Sequence, residues 1–137
     1  MTKRISALAV LVLGLALVLP SARAATPVTY VTKDCVHVAV EPHYILFACG
    51  DGAFYATHLQ WVHWGLKRAR GHGVFHQNDC TPDCADGHFH KRRGTIHLRY
   101  RRWCPDIHKY VFKHAHVHFN RPLLGRSDES FPMYCPI

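Results

Sequence analysis

The sequence has few acidic residues, no long apolar run beyond its start and none of the familiar hydrolase motifs. Nine Asp and Glu stand against 17 Lys and Arg, so the net charge is +8 with neutral histidines. The one apolar run, residues 5–19, is shorter than the ~20 residues that span a bilayer. Neither Gly-x-Ser-x-Gly nor His-Glu-x-x-His occurs, which removes the usual signatures of serine hydrolases and zinc proteases.

The first 24 residues have the pattern of a secretory signal peptide. Lys3 and Arg4 begin it, residues 5–19 are apolar, and Ala22-Arg23-Ala24 fits an A-x-A cleavage site. We expect cleavage after Ala24, which leaves residues 25–137 as a single secreted, extracellular domain without a transmembrane segment. An uncleaved signal anchor is the alternative.

Basic residues dominate the predicted mature chain. Because Lys3, Arg4 and Arg23 lie in the signal peptide, 14 of the 17 basic residues remain against nine acidic ones. Thirteen histidines add positive charge below their reference pKa of ~6.5. Such a surface favours anionic partners, including polyphosphate, nucleic acid, acidic glycans or an anionic cell envelope.

An even number of cysteines in a short exported chain predicts a disulfide framework. The six are Cys35, Cys49, Cys80, Cys84, Cys104 and Cys135. Sequence alone does not choose their pairing. Cys80 and Cys84 are close in the chain, so we expect each to bond a more distant cysteine. A Cys-x3-Cys metal or redox motif is the alternative.

Alternating and β-branched segments predict an all-β domain. Strands are predicted over residues 28–31, 36–40, 44–48, 54–64, 74–77, 94–104 and 110–119. Residues 54–64 also fit a helical stripe through Leu59 and Val62. Residues 67–71 are predicted to be an exposed basic loop and residues 125–129 a polar linker. Tyr100 should share the core side of its strand.

These elements predict a small disulfide-stabilised antiparallel β-sandwich or open barrel.

Motifs between Cys49 and Cys104 resemble a group of small secreted actinobacterial proteins. They are Cys49-Gly50-Asp51-Gly52, Trp61-Val62-His63-Trp64-Gly65, Ala69-Arg70-Gly71-His72-Gly73 and the Asn-x-Cys-x-Pro-x-Cys-Ala-x-Gly loop at residues 78–87. The resemblance implies an exported, cysteine-linked β-domain and implies no chemistry. This chain is richer in histidine and arginine than the group, so an inherited function need not explain those residues.

A histidine stripe is the candidate metal site. His114, His116 and His118 would project from one face of a strand, and neutral imidazoles so placed are ligands for Zn²⁺ or Cu²⁺. A solvated strand face that carries histidines is the alternative. No other cofactor is expected.

A basic band is the candidate anion site. It consists of Lys91, Arg92, Arg93, Arg99 and Arg101, and Tyr100 and Trp103 are interleaved with it. Arginine and aromatic side chains together hold phosphates and stack bases. The chain contains no specific nucleic-acid-binding motif, and the alternative is the solvent side of a strand.

The sequence therefore favours a secreted, non-enzymatic protein that binds anionic polymers or surfaces at the cell envelope. Histidine-mediated zinc or copper binding is the first alternative. The second is a small secreted ribonuclease-like hydrolase, in which His97 and His116 would serve as acid and base and Arg99 would hold phosphate.

Overall fold

The computed structural model describes residues 26–137, which form one curled, mixed β-sheet, a half-barrel. The predicted signal peptide at residues 1–24 lies outside the described residues. The strands are β1 Thr29–Thr32, β2 Val38–Ala39, β3 Ile45–Leu46, β4 Phe54–Trp64, β5 Arg68–Asn78, β6 Phe89–Cys104, β7 Lys109–Leu123 and β8 Arg126–Pro132. A 3₁₀ turn, Pro105–Ile107, joins β6 to β7. The predicted all-β open barrel is confirmed, and residues 54–64 form a strand rather than a helix.

The strand order is β2-β1-β7-β6-β5-β4-β3, and β8 also pairs with β7. Because β6 occupies one edge of β7, β1 and β8 share the other edge. β1 pairs there with Tyr110 and Val111, and β8 pairs from His114 onward. All neighbours are antiparallel except β1 and β7, which are parallel. The parallel pair is a feature that the sequence did not predict.

Apolar side chains that alternate along the long strands fill the inside of the curl. Phe75, Ile96, Leu98, Ala115 and Val117 are fully buried at successive inward positions. Burying a large apolar side chain contributes about 1.5–3 kcal/mol relative to leaving it in water. The inner face of β5, β6 and β7 is therefore the main source of stability.

Trp64 closes one end of the half-barrel. Its Nε1 donates to the carbonyl of Thr29 at 2.9 Å, and the Thr29 hydroxyl donates to the carbonyl of Leu66 at 2.7 Å. Its ring also meets Phe112 edge-on, with 5.5 Å between the ring centroids. These contacts join the turn between β4 and β5 to β1 and β7, which are distant in the strand order.

The prediction of a basic loop at residues 67–71 is wrong, because β5 begins at Arg68. A Cβ on Gly71 would lie 2.7 Å from the carbonyl oxygen of Gln60, and one on Gly73 would lie 2.8 Å from a methyl group of Leu59. Both glycines therefore permit close approach of β4, whose register shifts opposite them. They do not mark a turn.

Later strands are also longer than predicted. β6 begins at Phe89 rather than Gly94, β7 continues to Leu123, and the predicted linker at residues 125–129 belongs largely to β8. Pro122 does not end β7, because it lies between the paired positions His118 and Leu123, where the ladder with β8 is irregular. Its missing N–H therefore removes no ladder hydrogen bond.

The six cysteines form three disulfides, Cys35–Cys49, Cys80–Cys84 and Cys104–Cys135. The framework is confirmed, and the bond to Cys104 pins the carboxyl-terminal segment. Three disulfides are compatible with an extracellular protein.

The expectation that Cys80 and Cys84 bond elsewhere is wrong, because Asn78 folds their loop into a tight turn. Its Oδ1 accepts from the amide of Cys80, and its Nδ2 donates to the carbonyl of Cys84, both at 2.9 Å. The two Cα atoms are thereby 3.8 Å apart. Gly87 completes the turn, since a Cβ there would collide with the side chain of Asn78.

Replacing Cys104 and Cys135 together by alanine should lower the free energy of unfolding by about 3–4 kcal/mol, because the bond closes a 31-residue separation. The bond between Cys80 and Cys84 closes a separation of only 4 residues. Replacing both of these cysteines by alanine should therefore lower the free energy of unfolding by only about 2 kcal/mol. Urea denaturation of both variants measures the difference. Equal losses would show that loop length does not set the contribution of these bonds.

Candidate anion-binding face

The four long strands, β4 to β7, carry no acidic residue. They hold eleven Lys and Arg and nine His. Every acidic residue of the chain lies in a loop, in the 3₁₀ turn or in β8: Asp34, Glu41, Asp51, Asp79, Asp83, Asp86, Asp106, Asp128 and Glu129. The fold therefore separates the two signs of charge.

The strand register collects cations on the outside of the sheet. Arg68 of β5 lies opposite Arg99 of β6, and Arg70 lies opposite His97. Side chains directly opposite one another have Cβ atoms about 4.5–5.5 Å apart, and like charges in such pairs repel. An anion bound between them would relieve that repulsion.

Open depressions follow β5 and β6 along this outer surface. One is lined by polar side chains that include His63, Lys67, Arg70, His97 and Arg99, and no acidic residue lines it. The neighbouring depressions are likewise without acidic lining. We define the basic face as the nine cations that line them: Lys67, Arg68, Arg70, Lys91, Arg92, Arg93, Arg99, Arg101 and Lys113.

All five residues of the predicted anion site, Lys91, Arg92, Arg93, Arg99 and Arg101, lie in the basic face. Lys67, Arg68 and Arg70 also belong to the basic face, although the sequence pattern predicts a loop there. Lys113 of β7, which lies across the ladder near Arg101, is a further member that the sequence did not predict. Arg68, Arg70 and His72 alternate at period two, and this signal would have placed them on one strand face.

The cations of the basic face have no acidic partners. Within residues 26–137 the close contacts between basic or imidazole nitrogens and carboxylate oxygens join Lys33 and His37 to Asp34, His90 to Asp79, His116 and His118 to Asp128, and Arg126 to Glu129. None includes a side chain of the basic face, and all nine of its side chains are exposed. Their positive charge is available to a ligand.

His97 lies among these cations as a half-buried imidazole. Burial lowers its pKa from 6.5, and the charges of Arg99 and Arg70 and the neighbouring His116 lower it further. The pKa of His76 is lowered by burial and by Lys91 and His58. Both effects favour the neutral imidazole at neutral pH.

Tyr100 does not lie on the core side as predicted. The residue is 61% exposed, whereas Ile96 and Leu98 are fully buried. The backbone at Tyr100 has a φ of 56°, in the left-handed region, so the simple alternation of a strand fails at this residue. The exposed ring lines two of the depressions.

The histidine stripe lies on β7, where His114, His116 and His118 are opposite Arg99, His97 and Thr95. Oδ1 of Asp128 is 2.8 Å from Nδ1 of His118 and 3.5 Å from Nε2 of His116. In the part of the chain that the structure describes, no three or more His, Cys, Asp or Glu side chains are arranged to hold a metal ion. The zinc or copper site at His114, His116 and His118 stays a prediction.

No protein-family model matches the chain, and no curated protein or solved structure shows significant similarity to it. The resemblance to small secreted actinobacterial proteins therefore stays a prediction. Among residues 26–137 there is no helix of the length and apolarity needed to cross a membrane.

The lowered pKa of His97 predicts a pH dependence of stability. As the pH falls below 6.5 the unfolded chain takes up a proton at this residue more readily than the folded protein does, so acid favours unfolding. Replacing His97 by asparagine should reduce the loss of unfolding free energy between pH 7 and pH 5. Urea denaturation at both pH values measures it, and an equal loss in the wild type and the variant would contradict the expectation.

Proposed function

We propose that the protein is a secreted, non-enzymatic protein that binds anionic polymers along the basic face. The observation that supports this most strongly is the separation of charge, since nine unpaired cations line the depressions and β4 to β7 contain no acidic residue. The disulfides and the signal-peptide pattern support an extracellular location, where polyphosphate, acidic glycans, nucleic acid and anionic envelope polymers are the available ligands.

The length of the basic face suits a polymer better than a small anion. The ladder of β5 and β6 pairs eleven residues without a register shift. At about 3.3 Å per residue it extends for roughly 36 Å. An extended chain of phosphates or sulfates would contact several cations in succession and release the counterions that surround it.

The basic face is also rigid, because the ladder of β5 and β6 is continuous from Arg68 to Asn78 and β5 is also paired with β4. The cations of these two strands are attached to backbone that is already hydrogen-bonded in the sheet. Binding a ligand therefore orders only their side chains. This lowers the entropic cost of association relative to a flexible basic tail.

The wild-type protein should bind heparin and polyphosphate with an affinity that falls steeply with salt. Replacing Arg70 and Arg99 together by alanine should weaken binding at least tenfold and reduce the slope of log K against log salt by roughly 2, since each lost contact removes about one unit. Fluorescence anisotropy with labelled polyphosphate over a salt series measures both quantities.

The matched control replaces Arg121 and Arg126 by alanine. This variant has the same net charge, but both residues lie outside the basic face and Arg126 is paired with Glu129. It should bind nearly as tightly as the wild type. Equal weakening in the two variants would show that total charge alone governs binding, and no binding of the wild type at low salt would overturn the proposal.

Cleavage of RNA is a second candidate, and the register supports it. His97 and His116 are directly opposite one another in β6 and β7, with Arg99 beside His97. His97 would accept the 2′-hydroxyl proton as the 2′-oxygen bonds to phosphorus. The bond from phosphorus to the 5′-oxygen would break, and His116 would protonate that leaving oxygen.

This candidate predicts that RNA is cut to 2′,3′-cyclic phosphate ends, whereas DNA of the same sequence stays intact. Replacing either His97 or His116 by asparagine should abolish the cleavage. Gel analysis after long incubation at high protein concentration is the measurement. Intact RNA in the wild-type reaction would eliminate the candidate and leave the binding function unaffected.

A further inference from the structure

Tyr100 adopts a backbone conformation that tyrosine rarely takes. Its φ of 56° lies in the left-handed region, although the residue lies within β6. The ladder with β7 keeps one register on both sides of it, from Arg99 opposite His114 to Arg101 opposite Phe112. No turn or inserted residue therefore accounts for the conformation, and unusual backbone of this kind is concentrated at functional sites.

Tyr100 is also an exposed aromatic residue among the cations at one end of the basic face. Its relative exposure is 61%. It lines one depression with Lys67 and Arg99 and a second with Lys67, Arg101 and Lys113. Nζ of Lys113 lies 5.9 Å from the ring centroid.

Further aromatic surface lies beside Tyr100 at the same end of the β6–β7 hairpin. Trp103 and Tyr110 are opposite one another in the ladder, 48% and 40% exposed, with 5.0 Å between their ring centroids. The guanidinium carbon of Arg101 is 4.4 Å from the centroid of Tyr110. Exposed rings and cations therefore alternate along this end of the basic face.

Phosphate or sulfate groups need the cations alone, so the exposed rings indicate a ligand that also has flat, apolar faces. Nucleobases have such faces, and a base stacked on an aromatic side chain with phosphates on nearby cations is the general mode of single-strand binding. In a duplex the faces of the bases are covered by their neighbours, so only an unpaired strand offers them.

We propose that the polymer bound by the basic face is single-stranded nucleic acid, with one base stacked on Tyr100 and the adjoining phosphates held by Lys67, Arg99 and Lys113. This inference rests on the proposed anion-binding function and names the class of its ligand.

The test compares three labelled or competing ligands: a 15-nucleotide oligo(dT), an abasic oligonucleotide of the same length, and heparin. The wild type should bind oligo(dT) roughly tenfold more tightly than the abasic strand, the order expected for stacking of one base. Replacing Tyr100 by alanine should remove that tenfold preference and leave the affinities for the abasic strand and heparin unchanged. Replacing it by phenylalanine should preserve the preference.

Two further variants keep the result interpretable. Tyr134 is a matched control, since its side chain is 60% exposed and lies outside the basic face, and its replacement by alanine should change nothing. Tyr100→Gly suits the left-handed backbone and gives the same answer if the alanine variant does not fold.

Equal affinity of the wild type for oligo(dT) and the abasic strand would overturn base stacking while leaving the anion-binding function in place. The same conclusion would follow if Tyr100→Ala weakened all three ligands alike, or if heparin bound and neither strand did. The last result would identify an acidic glycan as the ligand. Failure of all three ligands to bind the wild type would overturn the anion-binding function itself.

Discussion

The fixed register of β5, β6 and β7 is the constraint on which the rest of the structure depends. Successive side chains of a strand point to opposite faces, so a slip of one residue would exchange the two faces completely. Here the register places Phe75, Ile96 and Val117 inside the curl and Arg70, His97 and His116 outside it. The burial of the apolar set therefore determines where the cations must stand.

That arrangement forces like charges together, and the fold tolerates them because other interactions hold the sheet. Arg68 and Arg99 face one another without an acidic partner. The apolar interior, the tryptophan contacts and the three disulfides offset their repulsion. The crowded charges therefore remain on the surface, where they sum to a positive local potential.

The acidic residues have a different role, since several of them stabilise turns. Oδ1 of Asp51 accepts from the amide of Ala53, and Oδ1 of Asp83 accepts from the amides of Ala85 and Asp86. Asp79 accepts from the amides of His88 and Thr81 and from the imidazole of His90. The amide of His88 and then the imidazole of His90 contribute most to lowering its pKa to about 2. Most carboxylates thus lie in loops and turns, and none belongs to the basic face.

The alternation of apolar and polar residues in the sequence predicted the parts of the fold that follow a period of two. The bounds of β4 and the common face of His114, His116 and His118 follow from it. Pattern failed where a distant segment decides the outcome. Gly71 accommodates the close approach of β4, whose register is irregular there. β1 pairs in parallel with β7, although the two strands are far apart in the sequence.

The candidate site was predictable to a similar degree. The basic band of β6 is visible in the sequence, whereas its extension to Arg68 and Arg70 requires knowledge of the pairing between β5 and β6. The exposure of Tyr100 was not predictable, because alternation assigns it to the core, whereas the residue is exposed and its backbone departs from the strand conformation.

The most direct test of the central claim is to map the contact surface of a bound polyanion by NMR. Backbone amide shifts would be followed while a short polyphosphate is added to the disulfide-bonded protein. The largest changes should fall on outward positions of β5 and β6, including Arg70, His97 and Arg99, while Asp128 and Glu129 of β8 stay unchanged. Changes scattered over the whole surface, or centred on β8, would contradict a register-defined anion-binding face.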